Sequence, residues 1–162
     1  MQLKNKIAIV IGAGQSPGET IGNGRATAIR FAREGAQVLL VDKHIASAEE
    51  TAHMISEENG KASTLSADIT IETDCQNIAK TCVEHYGRID ILHNNVGTIQ
   101  GDAGTVDLTE ENWQRLMDIN LKGLFLTCKH VLPVMRDQRN GTIINISSTA
   151  SVCYRPITLA YK

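Results

Sequence analysis

The chain has 162 residues, 42% of them hydrophobic and 21% charged, with a formal net charge of −2. These are the proportions of one ordinary globular domain, and so small a charge gives no electrostatic case for nucleic acid or an anionic membrane as partner. No apolar run approaches the roughly 20 residues of a membrane helix, and the lysine-flanked start "MQLKNKIAIVIGAG" leads into glycines and no cleavage site, so it reads as a buried strand.

In chain order, "KIAIVI" (6–11) predicts a fully buried strand. "GRATAIRFAREG" (24–35) puts Ala28, Ile29 and Ala32 on one helical stripe and stops at Gly35. "QVLLVD" (37–42) is the second strand, "ASAEETAHMISEENG" (46–60) a polar-faced helix closed by Asn-Gly, and "KASTLSAD" (61–68) a weaker third strand. "IETDCQNIAKTCVEHYG" (71–87) spaces Cys75, Ile78, Ala79 and Cys82 for one helix face. "IDILHNN" (89–95) is the fourth strand. The long run 109–138 is a largely apolar helix with Thr109 as N-cap, and "GTIINISS" (141–148) is the fifth strand.

Strands alternating with helices over short connections predict an α/β domain, a doubly wound parallel sheet with helices on both faces. Such sheets bind ligands beyond the carboxyl ends of their strands. The four cysteines, Cys75, Cys82, Cys128 and Cys153, form no CxxC pair. Without an export signal they are expected to be reduced, in a cytoplasmic protein, packed as small core residues. No metal is expected.

"GAGQSPGETIGNGRATA" follows a strand and opens a helix, the context in which glycines let backbone approach a pyrophosphate at a helix N-terminus. Gly12, Gly14 and Gly18 form one possible set. Gly12, Gly22 and Gly24 are preferred because Arg25-Ala26 starts the apolar stripe at once. Residues 15–20 are then an extra loop, with Glu19 expected to point away from the phosphates. Asp42 closes the second strand, where a carboxylate accepts from ribose hydroxyls and repels a 2′-phosphate, favouring NAD over NADP; Lys43 beside it blurs the preference. Asp68 closes the third strand, facing the adenine. The asparagines of "NNVG" (94–97) tie strand ends together and run backbone along a cofactor.

Taken together, the glycine turn, Asp42, "ADIT" with Asp68, "NNVG", "INLKG" with Asn120, "INISS" and the late tyrosine resemble the classical short-chain dehydrogenase/reductase family along the whole chain. The resemblance implies a Rossmann-like sheet, a nicotinamide cofactor, and oxidation or reduction at an alcohol or ketone carbon of a small molecule. It implies cofactor contacts from Gly12, Gly22, Asn23, Gly24, Asp42, Asp68, Ile69 and Asn95, although the family usually has an apolar residue where Asn23 stands. It implies a catalytic set of Asn120, Ser148 and Tyr161: support of a proton relay, orientation of the substrate oxygen, and acid/base. Tyr161 follows Ser148 at the family's spacing, whereas Tyr154 precedes Arg155-Pro156 in an expected loop.

The family's Tyr-x-x-x-Lys pattern puts the lysine on the tyrosine's own helix face, since i and i+4 are about 40° apart. Lys162, one residue on, points elsewhere. The chain is therefore expected to be an incomplete dehydrogenase lacking the last strands, impaired by itself and homo-oligomeric when full length. Two other readings are a non-catalytic NAD-binding fragment or module and, less favoured, an epimerase or dehydratase on the same fold.

Overall fold

In the computed structural model, which describes every residue except Pro17, Glu19, residues 154–157 and Lys162, "IAIVI" forms β1 (Ile7–Ile11) and is buried at every position. Strands rich in β-branched residues and apolar on both faces belong in the middle of a parallel sheet. β1 lies at the centre of the order β3-β2-β1-β4-β5, with β2 (Gln37–Asp42), β3 (Lys61–Ser66), β4 (Ile91–Asn94) and β5 (Thr142–Asn145). Every pairing is parallel, for example Ile9 opposite Leu39 and Leu92. Parallel neighbours need crossovers. These are α1 (Asn23–Arg33), α2 (Ile45–Glu57), α3 (Glu72–Tyr86) and the pair α4 (Glu110–Met117) and α5 (Gly123–Gln138). The fold is a Rossmann-like α/β sheet. Its strand order reverses between β1 and β4, and that crevice is where the candidate residues gather.

The two sheet faces carry separate cores. Val10, Val38 and Leu40 pack with Ala28, Ile29, Ala32 and Ile55 of α1 and α2. Ile9, Ile11 and Leu39 pack with Cys75, Ile78 and Cys82 of α3 and Leu126 and Met135 of α5. Burial pushes the thiols of Cys75 and Cys82 up to about 11 and about 12, so both stay protonated, inert core groups. Cys128 is half-buried and Cys153 is exposed, which corrects the expectation of four core cysteines. Full burial holds for β1, while the two edge strands among the described residues are less covered: β3 is half-buried and exposed at both ends, and β5 is partly exposed. Among the described residues, no helix is long and apolar enough to cross a membrane.

The amino-terminal edge of the sheet is fastened by Asp90, only 3% exposed. Its carboxylate accepts from the Ile7 amide at 2.9 Å and from the Arg88 guanidinium, with Lys6 Nζ at 3.8 Å. Asp90→Ala leaves the buried Ile7 N–H unpaired, while half-exposed Arg88 rehydrates easily. The expected loss is therefore about 2–3 kcal/mol, below the 3–5 kcal/mol typical of a fully buried ion pair, and urea unfolding measures it.

His93 is the one buried side chain among the described residues with both ring nitrogens unpartnered. It sits in β4 between Val10 and Ile144, 4% exposed and edge-on to Phe31 at 6.0 Å. Burial holds its pKa below the ordinary 6.5. On acidification the unfolded chain protonates first, so stability is level above that ordinary value and falls as the pH drops below it. In His93→Leu this part of the acid-side slope is expected to vanish and stability at neutral pH to rise by about 1 kcal/mol, read from melting curves across pH.

Candidate functional site

Beyond β1 the chain turns through Gly12, whose φ of +75° an L side chain rarely adopts. The Gly12 amide donates to the Val41 carbonyl at 2.8 Å, holding the turn against β2. Gly22 is the N-cap of α1, with extended backbone and no side chain capping the helix. Gly24 lies so close to the turn that a Cβ there would sit 1.8 Å from the Gly12 carbonyl oxygen. Of the preferred glycines Gly12 and Gly24 thus meet, and the helix begins on top of the turn. Gly14, outside that set, is also fixed: its amide donates to Asp42 Oδ2 at 3.0 Å, and a Cβ would lie 2.7 Å from Ser47 Oγ.

Gln15 closes the inserted loop. Its Oε1 accepts from the Gly22 amide and its Nε2 donates to the Thr20 carbonyl, both at 2.9 Å. Ser47, near the start of α2, accepts from the Gln15 amide at 2.7 Å. The expected direction of Glu19 lies outside the described residues. Buried Arg25 locks α1 to α2 through Thr51 Oγ1 at 3.0 Å and Glu50 at 2.6 Å. Its burial had no marker in the sequence. Asn23 is the first residue of α1 and is exposed.

Asp42 closes β2 as expected, but its carboxylate already braces the turn, accepting from Gly14 and, at 2.9 Å, from the His44 amide. β3 ends at Ser66, so Asp68 stands in the following turn and not at the strand end. The Ala67 amide still donates to the Asp42 backbone carbonyl at 3.2 Å, and then Asp68 Oδ1 takes the Thr70 amide and hydroxyl at 2.9 and 2.7 Å, bending the chain away. Burial raises the Asp68 pKa, but the Thr70 hydrogen bonds and the charge of Lys43 outweigh it and hold the carboxyl below its usual range. The Ile69 side chain is buried against the start of α5, where a Cβ on Gly123 would lie 2.5 Å from Ile69 Cδ1; only its backbone is left for a ligand.

The two asparagines of "NNVG" divide their work. Asn94 is buried and ties three elements, donating to Asn145 Oδ1 and accepting from Thr127 Oγ1, both at 2.9 Å. Asn95 lies over the glycine turn, its Nδ2 2.9 Å from where a Gly24 Cβ would be. The helical run from Thr109 is interrupted by a π turn, Asp118–Lys122, centred on Asn120. π turns often mark functional sites. The Asn120 side chain takes both ends of one peptide residue: Oδ1 accepts from the Thr98 amide at 2.8 Å and Nδ2 donates to the Thr98 carbonyl at 2.9 Å. A Cβ on Gly97 would be 3.7 Å from both Asn120 Oδ1 and Tyr161 Cε2, so these two expected residues meet there.

Ser148 stands beyond β5, which ends at Asn145, and caps the short 3₁₀ turn Thr149–Ser151 by accepting from the Ala150 amide at 3.2 Å. Its expected place at the strand end is corrected accordingly, and its hydroxyl proton has no acceptor among the described residues. Tyr161 is half-buried, with its amide on Asp102 Oδ2 at 3.0 Å. Tyr154 and Lys162 lie outside the described residues.

Residues 6–162 match the model of the short chain dehydrogenase family. The chain belongs to that family. Its curated relatives include a 3-oxoacyl-[acyl-carrier-protein] reductase of Thermotoga maritima, 35% identical over 96% of this chain and 61% of the relative. Glucose 1-dehydrogenase 2 of Bacillus subtilis is also 35% identical, over 99% of this chain and 60% of the relative. The fold superposes on NAD+-bound xylitol dehydrogenase with a TM-score of 0.91 at 31% identity, covering 99% of this chain and 60% of that one. A 7α-hydroxysteroid dehydrogenase complexed with NADH and 7-oxo glycochenodeoxycholic acid gives 0.86 at 30% identity, covering 96% and 58%. The chain thus spans about 60% of the length of the curated relatives it matches.

For a short-chain dehydrogenase the residues present fit a dinucleotide. Gly12 and Gly24 bring no side chain of their own to the turn, α1 opens onto it with no side-chain cap at Gly22, and a carboxylate stands at the end of β2.

Proposed function

We propose that this chain carries the cofactor seat and the acid/base group of an NAD-dependent oxidoreductase acting on a secondary alcohol or ketone. The observation that carries the reading is the reach of residues 95–97. Asn95 lies on the Gly12–Gly24 contact, and Gly97 lies against Asn120 and Tyr161. One short stretch of backbone therefore joins the phosphate end of a dinucleotide seat to the ring of a tyrosine, as a cofactor presenting its reactive ring to a proton-transfer group requires.

In this reading Gly12 and Gly22 shape the turn, their own amides held by the Val41 carbonyl and Gln15 Oε1, and the backbone N–H groups of Asn23 and Gly24 at the start of α1 hold the pyrophosphate. Asp42 takes the adenosine ribose, and Asp68 and the Ile69 backbone face the adenine. When bound, the nicotinamide supplies or accepts the hydride. Tyr161 gives its phenolic proton to a ketone oxygen, or takes the hydroxyl proton of an alcohol in the opposite direction. The Ser148 hydroxyl donates to that same oxygen and orients it. Asn120 fixes Thr98, and with it the loop beside the phenol. The Asp42 carboxylate disfavours a 2′-phosphate, which supports NAD over NADP. Exposed Trp113, Leu121 and Phe125, lining one groove along α4 and α5, support a homo-oligomer.

Calorimetric titration with NAD and NADP in parallel, followed by NADH absorbance over a panel of alcohols and ketones, tests the proposal. Tighter binding of NAD and a lasting absorbance change support it. Heat with NAD but no change on any substrate favours an NAD-binding module without turnover. Absence of heat with either nucleotide counts against both.

A further inference from the structure

Three consecutive amides, distant in sequence from Asp102, converge on its carboxylate. Leu159 and Ala160 donate to Oδ1 at 3.0 and 3.1 Å, and Tyr161 donates to Oδ2 at 3.0 Å. The separations are 57, 58 and 59 residues, and only the fourth bond, from the Ala103 amide at 2.9 Å, is local. A residue serving merely as a turn former would need that last bond alone.

The loop that carries Asp102 is itself fastened. The Asp102 amide donates to the Ile99 carbonyl at 3.0 Å, Gln100 donates to Thr98 Oγ1 at 3.1 Å, and Arg115 of α4 donates to the Gln100 carbonyl. Thr98 is gripped at both backbone atoms by Asn120. A path of hydrogen bonds and the short loop backbone 98–102 therefore runs from the π turn through Thr98 and Asp102 to the backbone of Tyr161. It closes on itself at Gly97, where Asn120 and the Tyr161 ring meet.

We propose that Asp102 is a positioning residue: its carboxylate clamps the backbone at 159–161 and thereby sets where the Tyr161 phenol stands relative to Asn120 and the cofactor seat. The functional half of this inference rests on the acid/base reading of Tyr161. Charge favours the arrangement, because hydrogen bonds to a carboxylate are about twice as strong as neutral ones. Burial alone would raise the Asp102 pKa, but the amides of Ala160, Leu159, Ala103 and Tyr161 outweigh it and keep the group ionised.

Amide hydrogen exchange on the 15N-labelled chain tests the clamp, comparing wild type with Asp102→Ala and Asp102→Asn. The amides of Leu159, Ala160 and Tyr161 are expected to lose protection by about tenfold or more in Asp102→Ala, and by less in Asp102→Asn, which keeps one carbonyl acceptor. The amides of β1 and β4 keep theirs. If Asp102→Ala does not fold, Asp102→Asn alone carries the comparison. Unchanged protection at 159–161, or a loss there only in step with β1 and β4, overturns the clamp. A Tyr161→Phe chain with undiminished turnover would instead overturn the acid/base reading, while the exchange data still judge the clamp.

Discussion

Gly24→Ala is expected to abolish measurable NAD binding and to lower stability by about 3 kcal/mol or more, the upper end for overpacking. The reason lies in what the added methyl would meet. Its position is 1.8 Å from the Gly12 carbonyl oxygen and 2.9 Å from the Gly12 carbonyl carbon. Both atoms are backbone, and that backbone is held to β2 through the Gly12 amide. No side-chain rotation relieves the clash, so α1 must lift off the turn. At Gly22 the nearest atoms to such a methyl are 3.9 Å away. Gly22→Ala should therefore change stability only by the modest loss of an N-cap preference, about 0.5 kcal/mol. Melting curves and NAD calorimetry on the two variants side by side measure the contrast. Equal behaviour would mean that the close approach of helix and turn is not what shapes the seat.

Tyr161→Phe is expected to reduce NAD-linked turnover by about 10²- to 10⁴-fold, the usual contribution of a positioned acid/base group, with NAD affinity unchanged. The phenylalanine keeps the ring that lies beside Gly97 and Asn120 and removes only the oxygen that exchanges the proton. Asn120→Ala differs in kind: it frees both the amide and the carbonyl of Thr98, so the loop beside the phenol loosens. Steady-state kinetics separate the two, since only the phenylalanine variant leaves the loop's hydrogen bonds in place. A Tyr161→Phe protein retaining wild-type kcat would remove the proposed acid/base group from the site.

Where local pattern decides structure, the sequence was readable. The unbroken apolar runs of β1 and β2, the Ala28–Ile29–Ala32 stripe and the Thr109 cap, which accepts from the Asn112 amide at 3.2 Å, all lie within one turn or one strand of their cause. The parallel, doubly wound order followed from the alternation of those elements. The third and fifth strands run shorter than expected because the ladder hands over to side chains: Asp68 bends the chain after Ala67, and Ser148 caps its own 3₁₀ turn.

The residues that escaped act at a distance. Asp102 bonds to amides more than fifty residues away, and no spacing within "TIQGDAGTVD" announces it. Arg25 reads only as the start of the apolar stripe, and nothing local shows that α2 folds over it. "DINLK" has the composition of any helix, yet it makes a π turn where Asn120 reaches out to Thr98. For the glycine turn, two sets of spacings competed. The packing distances give roles to members of both, with Gly24 against the turn and Gly14 against Ser47 and Asp42.

The claim on which these expectations rest is that the crevice between β1 and β4 seats a dinucleotide with Tyr161 at its far end. Titrating NAD into the 15N-labelled chain tests it directly. The account predicts amide shifts at Gly12, Gly14, Gly22, Gly24 and Asp42 and along residues 95–97, reaching Tyr161, with the outer faces of α2 and α3 unmoved. Saturating NAD that shifts no amide, or shifts only residues outside the crevice, would contradict it.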